Sequence, residues 1–247
     1  MKNTVIIIPT RLAATRFPNK PLAAKINNVP MIIHVLKSAI KSAVGEVYVS
    51  TPDKEILEIV DKHGGNGILT GDHPNGTSRV WETFKKIKNE NIDLVINMQG
   101  DQVMLSSDNI SKLDKLMREH NSPIGTLASK LIKEEIKDQN VVKVEVETDL
   151  KEDSFLKAKD FFRTKKDLKN KKIYHHVGIY CFRPSYLKQY VELGESKQEK
   201  IQKLEQLRVL GKIDINVGYC DSNPLSVDTF QDLKRAEKLK RAEKEIS

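Results

Sequence analysis

Residues 4–22 read TVIIIPTRLAATRFPNKPL. Residues 5–8 are wholly apolar and the run stops at Pro9, which is the pattern of a strand buried on both faces of a parallel sheet. The strand delivers the chain into a polar loop carrying Arg11, Arg16 and Lys20, in a stretch whose prolines are expected to keep it from becoming helix. Directly after Pro30, the apolar residues Met31, Ile32, Val35, Leu36, Ala39, Ile40 and Ala43 recur at helical spacing. Val47-Tyr48-Val49 then reads as a second strand. The alternation continues with a helix over 53–63 ended by Gly64-Gly65, a brief strand at Ile68-Leu69, and a helix over 78–88 burying Val80, Trp81, Phe84 and Ile87. A strand at Leu94–Met98 and a helix over Ser107–His120, with Ile110, Leu113, Leu116 and Met117 inward, complete four βα units in succession. Four such units predict an α/β protein with a doubly wound, mostly parallel sheet.

Beyond residue 122 the pattern changes. Residues 142–146 alternate apolar with charged side chains and Phe155–Phe162 is a mixed strand, which suits a half-exposed antiparallel extension. Residues 165–172 read as a charged loop, followed by a strand over 175–182, helices over 184–193 and 197–210, and a strand over 213–220 that returns to the sheet. Thr229 and Asp232 have capping-box character ahead of a final helix. No repeat, coiled coil or low-complexity tail divides the 247 residues, so one domain is the expectation.

Composition removes several classes of function. The start lacks the apolar core of a secretory signal and no apolar run approaches membrane-spanning length, so a cytoplasmic protein is expected. Cys181 and Cys220 have neither zinc spacing nor the density of a disulfide scaffold, and both read as plain strand residues. The net charge of +8 comes largely from lysine-rich stretches such as 165–172 and 234–244, which read as solvated faces. A nucleic-acid-binding module is the rival reading, and it is disfavoured by the lack of an aromatic stacking motif or a basic recognition helix.

Ligands of open α/β sheets sit beyond the carboxyl ends of the strands, and that rule ranks the loops. Three cations tethered after the first strand can surround a triphosphate, or they can form a solvated turn. There is no P-loop and no dinucleotide-binding glycine fingerprint, the first glycine being Gly45, so guanidinium and ammonium groups would have to supply the charge. Asp101 follows Gly100 at the end of the fourth strand, where it could reach a metal held between phosphates or simply favour a turn. Asp228 precedes the Thr229 cap, so it could serve the helix N-terminus; two carboxylates converging on one crevice would instead make a metal site. His175 and His176 alternate across a strand, so only one can face a pocket, and they lack a third ligand at metal spacing. Glu205 and Arg208 could be an ordinary i,i+3 surface pair.

Taken in order, the pieces resemble the 3-deoxy-manno-octulosonate cytidylyltransferases, also called CMP-Kdo synthetases, over nearly the whole chain. The first loop follows R-x-x-S-T-R-x-P-G-K-P-L through Arg11, Thr15, Arg16, Pro18, Lys20, Pro21 and Leu22. His73-Pro74-Asn75-Gly76-Thr77-Ser78-Arg79 is similar to H-x-S-G-T-x-R, and Asn97-Met98-Gln99-Gly100-Asp101 to N-x-Q-G-D. Further along come Asn140-Val141-Val142-Lys143, His176-Val177-Gly178-Ile179-Tyr180, Glu205-Gln206-Leu207-Arg208 and Val227-Asp228-Thr229.

The resemblance implies a nucleotidyltransferase fold of Rossmann-like type and a Mg²⁺-dependent reaction of CTP with an acidic 3-deoxy sugar, giving a CMP-sugar for lipopolysaccharide biosynthesis. It implies that Thr10, Arg11, Thr15, Arg16, Lys20, Gly76 and Asp101 hold the nucleotide and that Asp101 and Asp228 hold the metal. Lys20, Asp101 and Asp228 would carry catalysis, and Arg79, Gln99, His176, Tyr180 and Glu205 would hold the sugar. A subregion at about 125–195 would bind the sugar and form a homodimer contact. Three departures stand out: Ala14 in place of Ser, Asn19 in place of Gly at a turn where Asn can adopt positive φ, and Gln102 in place of Glu, which leaves Kdo and its 8-amino analogue both in view. Another acidic sugar, or a noncatalytic relative, are the remaining alternatives.

Overall fold

A computed structural model describes residues 3–13, 17–221 and 225–246. In chain order the elements are β1 (Thr4–Pro9), α1 (Lys20–Ala23), β2 (Lys25–Ile26), β3 (Val29–Pro30), α2 (Met31–Ser42), β4 (Gly45–Thr51), α3 (Lys54–Lys62), β5 (Asn66–Leu69), α4 (Gly76–Ile87), β6 (Leu94–Met98), α5 (Ser107–His120), β7 (Ile124–Ser129), β8 (Lys143–Val146), β9 (Phe155–Phe162), β10 (Lys172–Phe182), α6 (Pro184–Glu192), α7 (Lys197–Gln202), β11 (Ile215–Tyr219) and α8 (Phe230–Ile246). Two compact units emerge, one of Met1–Ile92, Ile96–Ser111 and Pro224–Ser247, the other of Asp93–Val95 and Lys112–Asn223.

The first unit holds strands in the order β5-β4-β1-β6, with β1, β4 and β5 parallel. Every residue of β1 and β6 is buried, as the apolar runs at residues 5–8 and 94–96 suggest for strands covered on both faces, the polar Asn97 being buried with hydrogen-bond partners. Helix α2 turns Met31, Ile32, Ile33, Val35, Leu36 and Ala39 inward and ends at Ala43 in the left-handed conformation. Two features differ from the sequence reading. Lys20–Ala23 forms a helical turn despite Pro21, because proline at the first helical positions lacks only an N–H that would have had no partner anyway. On α4, Val80 is buried, whereas Trp81, Phe84 and Ile87 are only half-buried. Trp81 and Phe84 stack on each other at 5.8 Å, and the buried positions include the polar Thr77, Arg79 and Thr83. A small hairpin, β2–β3, turns at Asn27 and Asn28, both at positive φ.

The second unit orders its strands β10-β7-β11-β9-β8, with β10 also pairing β8. Here β7 and β11 are parallel, while β10 with β7, β10 with β8, β9 with β11 and β8 with β9 are antiparallel, in line with the expected change of pattern after residue 122. Strand β7, wholly buried, has no counterpart in the sequence reading. The helix expected over 197–210 is instead α7, a left-handed Lys203 with φ 53, and a 3-10 turn over Glu205–Arg208. Ser196 and Glu199 form a reciprocal capping box that starts the helix, and it ends after six residues where Lys203 turns left-handed and its amide bonds the Glu199 carbonyl. Among the described residues no helix is long and apolar enough to cross a membrane.

Candidate active site

Lys20 stands at the start of α1, which opens on Asn19 at φ 54 and ψ 24, so asparagine does supply the left-handed turn that glycine would otherwise be needed for. The lysine reaches inward, its side chain 14% exposed, and spends its three ammonium protons on three acceptors. These are Asp101 Oδ2 at 3.1 Å, Asp228 Oδ1 at 3.2 Å and the Val227 carbonyl at 2.8 Å. Burial alone would push the lysine pKa down, but the two carboxylates, Asp101 first, more than offset it and the pKa is raised. The Val227 amide returns a bond to the Asp101 carbonyl at 3.1 Å, pinning the approach to α8 beside the end of β6. Thr229 and Asp232 then cap α8 by reciprocal bonds of 2.8 Å and 3.2 Å, so Asp228 is not the helix cap and is available to Lys20.

Close packing fixes how the loops after β1, β6 and the start of α4 meet. A Cβ on Gly100 would lie 3.0 Å from Thr10 Cβ, 3.1 Å from its Oγ1 and 3.2 Å from the Pro9 carbonyl oxygen. A Cβ on Gly76 would lie 3.1 Å from Gln99 Nε2 and 3.3 Å from Pro9 Cγ. Gln99 donates to Asn97 Oδ1, and Asn97 to Thr77 Oγ1, so the amide ladder fixes the end of β6 against α4. Gly100→Ala should therefore cost about 1–3 kcal/mol by overpacking against the buried Thr10 side chain and the Pro9 carbonyl, seen as a lower urea midpoint at unchanged m-value.

Arg11 is exposed and near enough to Arg79 for its charge to lower the Arg79 pKa, second only to burial as a cause. Arg79 itself is buried and donates to Thr70 Oγ1 and the Gly71 carbonyl. Two anchors absent from the sequence reading hold these loops. Asp53 accepts from the Leu12 amide at 2.7 Å, and Glu82 accepts from the Gly71 amide and from His73, with Lys86 beside it. Burial raises the Glu82 pKa but its partners, Lys86 and His73 first, bring it down to about 2. The i,i+4 spacing of Glu82 and Lys86 was a visible signal; the long-range contact of Asp53 with Leu12 had none. Thr15 and Arg16, assigned to the nucleotide by resemblance, and Ala14 lie outside the described residues.

The remaining expected residues lie in the second unit. His176 is 8% exposed and its Nε2 meets Thr126 Oγ1 at 3.0 Å. Burial, reinforced by His175, lowers its pKa to about 3. A histidine held neutral in the fold destabilises it wherever the unfolded chain takes up the proton. The loss begins as pH falls below 6.5, accumulates to about 2–3 kcal/mol near pH 4.5, and levels off below the folded value. Urea midpoints at pH 7 and 4.5 should show a smaller drop in His176→Gln than in the unsubstituted chain. The Tyr180 hydroxyl is buried with no hydrogen-bond partner, and Glu205 is close enough to help raise its pKa. Glu205 and Arg208 are not a surface pair. Arg208 is buried, makes a bidentate pair with Glu199 at 2.6 Å and 2.9 Å, and lies over the Tyr190 ring. Cys181 and Cys220 are both free and buried, Cys181 within β10 and Cys220 just past the end of β11.

Residues 5–214 match the family model for cytidylyltransferases. The 3-deoxy-manno-octulosonate cytidylyltransferase of Rhodopseudomonas palustris (strain BisB18) is 39% identical over 240 residues, covering 96% of this chain and 97% of that protein. That of Brucella suis biovar 1 (strain 1330) is also 39% identical, over 94% of each chain. Among solved structures, CMP:2-keto-3-deoxy-manno-octonic acid synthetase complexed with CTP superposes with a TM-score of 0.87 at 34% identity, covering 97% of this chain and 99% of that one. UDP-glucose pyrophosphorylase, at 14% identity and a TM-score of 0.71, shares the mixed α/β nucleotidyltransferase fold. With the family model spanning most of the sequence and relatives of this identity spanning nearly all of it, the chain belongs to the cytidylyltransferase family and, within it, to the 3-deoxy-manno-octulosonate cytidylyltransferases.

Proposed function

We propose that the chain transfers the cytidylyl group of CTP to 3-deoxy-manno-octulosonate, forming the CMP-sugar used in lipopolysaccharide biosynthesis and releasing pyrophosphate. The anomeric hydroxyl of the sugar attacks the α-phosphorus, the bond to the β-phosphate oxygen breaks in line, and the hydroxyl proton is lost. No covalent intermediate with the protein is needed. The observation that carries the reading is the meeting of Lys20, Asp101 and Asp228 within 3.2 Å at the rim of β6, in a chain whose relatives bear the name of that activity. A loose, anionic transition state is stabilised by fixed charge and by positioning of the two reactants, and this is what such a cluster offers.

Thr10, Arg11, Thr15, Arg16, Lys20 and Gly76 are the proposed nucleotide contacts, and Arg79, Gln99, His176, Tyr180 and Glu205 the proposed sugar contacts. Magnesium takes hard oxygen ligands, commonly one or two carboxylates completed by phosphates and water. Asp101 and Asp228 fit that requirement, as two carboxylates facing a common cation. They would hold Mg²⁺, which when bound neutralises charge on the phosphates. A homodimer formed through about 125–195, and a cytoplasmic location, belong to the same proposal.

Gln102 favours a second sugar. Its side chain is buried, its Oε1 has no partner, and a neutral amide oxygen beside Asp101 would accept from an ammonium, as on 8-amino-Kdo. The test is pyrophosphate release with CTP or UTP against Kdo, 8-amino-Kdo and other acidic sugars. Turnover restricted to CTP with one of the two octulosonates supports the proposal; preference for UTP or an unrelated sugar overturns it.

A further inference from the structure

Strand β10 carries a bulge at residues 178 and 179, between Val177, which pairs with Leu127, and Tyr180, which pairs with Thr126. The irregularity aims two carbonyl oxygens at one hydroxyl: Thr126 Oγ1 lies 2.7 Å from the Ile179 oxygen and 3.2 Å from the Val177 oxygen. The same Oγ1 lies 3.0 Å from His176 Nε2, and Thr126 is fully buried, away from bulk solvent. A threonine hydroxyl has one proton to give. Both carbonyls can only accept, so the proton goes to one of them, and the contact with His176 is favourable only if the imidazole is the donor. Were Nε2 the acceptor, both carbonyls would press unprotonated oxygen against oxygen at hydrogen-bond distance.

We propose that Thr126 is a positioning residue that locks His176 as its Nε2–H tautomer and so presents Nδ1 as a hydrogen-bond acceptor to a hydroxyl of the sugar. The inference rests on the sugar-activating reading above for the identity of the ligand. Nδ1 has no hydrogen-bond partner among the described residues. The ring cannot turn freely, being edge-on to Phe161 at 5.2 Å and tilted against Tyr180 at 5.4 Å. Burial also keeps the imidazole neutral, so the second nitrogen stays unprotonated. The buried Tyr180 hydroxyl, likewise without a partner, complements it: a sugar hydroxyl is both donor and acceptor, and suits an acceptor nitrogen beside a phenol.

Nitrogen-correlated spectra of the intact protein with ¹⁵N-labelled histidine read the tautomer directly, the His176 signals being identified by their loss in His176→Gln. The expected spectrum is a neutral Nε2–H ring, changed to a mixture or to Nδ1–H in Thr126→Val and restored in Thr126→Ser. In steady-state assays with Kdo, Thr126→Val should raise the KM for the sugar about tenfold, the worth of one hydrogen bond, with kcat and the KM for CTP within about twofold. A wild-type Nδ1–H ring overturns the proposal even if Thr126→Val does not fold, and so does a Thr126→Val protein with unchanged spectrum and unchanged sugar KM. If the spectra behave as expected but Kdo is not turned over, the lock stands and the reading of the site's ligand fails.

Discussion

Asp228→Ala is expected to lower turnover by on the order of a thousandfold, the consequence of losing several kcal/mol of charge stabilisation at the phosphates, while leaving the melting profile nearly unchanged. The separation of the two effects follows from the geometry. Asp228 is 41% exposed, so its pairing with Lys20 belongs to the weak, solvent-screened class of ion pairs. The helix cap after it is made by Thr229 and Asp232, and Lys20 keeps Asp101 and the Val227 carbonyl as partners. Asp101→Ala should lose comparable activity but cost more stability, since that side chain is 28% exposed against 41% for Asp228 and is the stronger of the two in holding the Lys20 charge. Pyrophosphate release and circular dichroism melts on the same preparations separate the two; full activity in either variant removes the metal assignment.

Lys20→Ala is expected to weaken transition-state stabilisation by roughly 2–4 kcal/mol, the range for one strong electrostatic donor, read as a loss in kcat/KM. The lysine is charged under any assay near neutrality. Its pKa is raised in the fold, so the contribution it makes to stability is complete below the ordinary value of 10.5 and is lost only as pH rises through the folded value. Removing it leaves two carboxylates facing a gap with no cation. The variant should therefore melt at lower temperature than the unsubstituted chain, and added Mg²⁺ should recover more of that loss than it raises the melting temperature of the unsubstituted chain. A near-neutral effect on kcat/KM would return the loop after β1 to the status of a solvated turn.

How much of this was legible depended on whether neighbours in sequence or neighbours in space decide a residue's environment. Strands covered on both faces tend to read as apolar runs, so residues 5–8 and 94–96 declared themselves, as did the α2 stripe at Met31, Ile32, Val35, Leu36 and Ala39, whereas its members Ile40 and Ala43 are exposed. Strand β7 did not, because Gly125, Thr126 and Ser129 dilute a six-residue run whose ladder partners, β10 and β11, come much later in the chain. Trp81 and Phe84 look like core by composition, yet they satisfy each other on a half-open helix face while Arg79 and Thr83 go inside. Lys143, almost fully buried and donating to the carbonyls of Asp138, Val141 and Arg163, is another inversion that no local pattern announces. In the site, Lys20 is 81 residues from Asp101 and 208 from Asp228, and the sequence offered each of them a bland alternative. Only the resemblance grouped them. The Arg208 pairing with Glu199 was hidden by the shorter spacing to Glu205, which an unbroken helix would have favoured.

The reaction is expected to occur at the α-phosphorus of CTP. Phosphorus NMR of a mixture of the protein, CTP, Mg²⁺ and Kdo or its 8-amino analogue follows it without coupling enzymes. Pyrophosphate and a single new phosphodiester signal are expected to grow in equal amounts, and to do so on the order of a thousandfold more slowly with Asp228→Ala. Appearance of CDP with orthophosphate, or an unchanged CTP spectrum with both sugars, would contradict it.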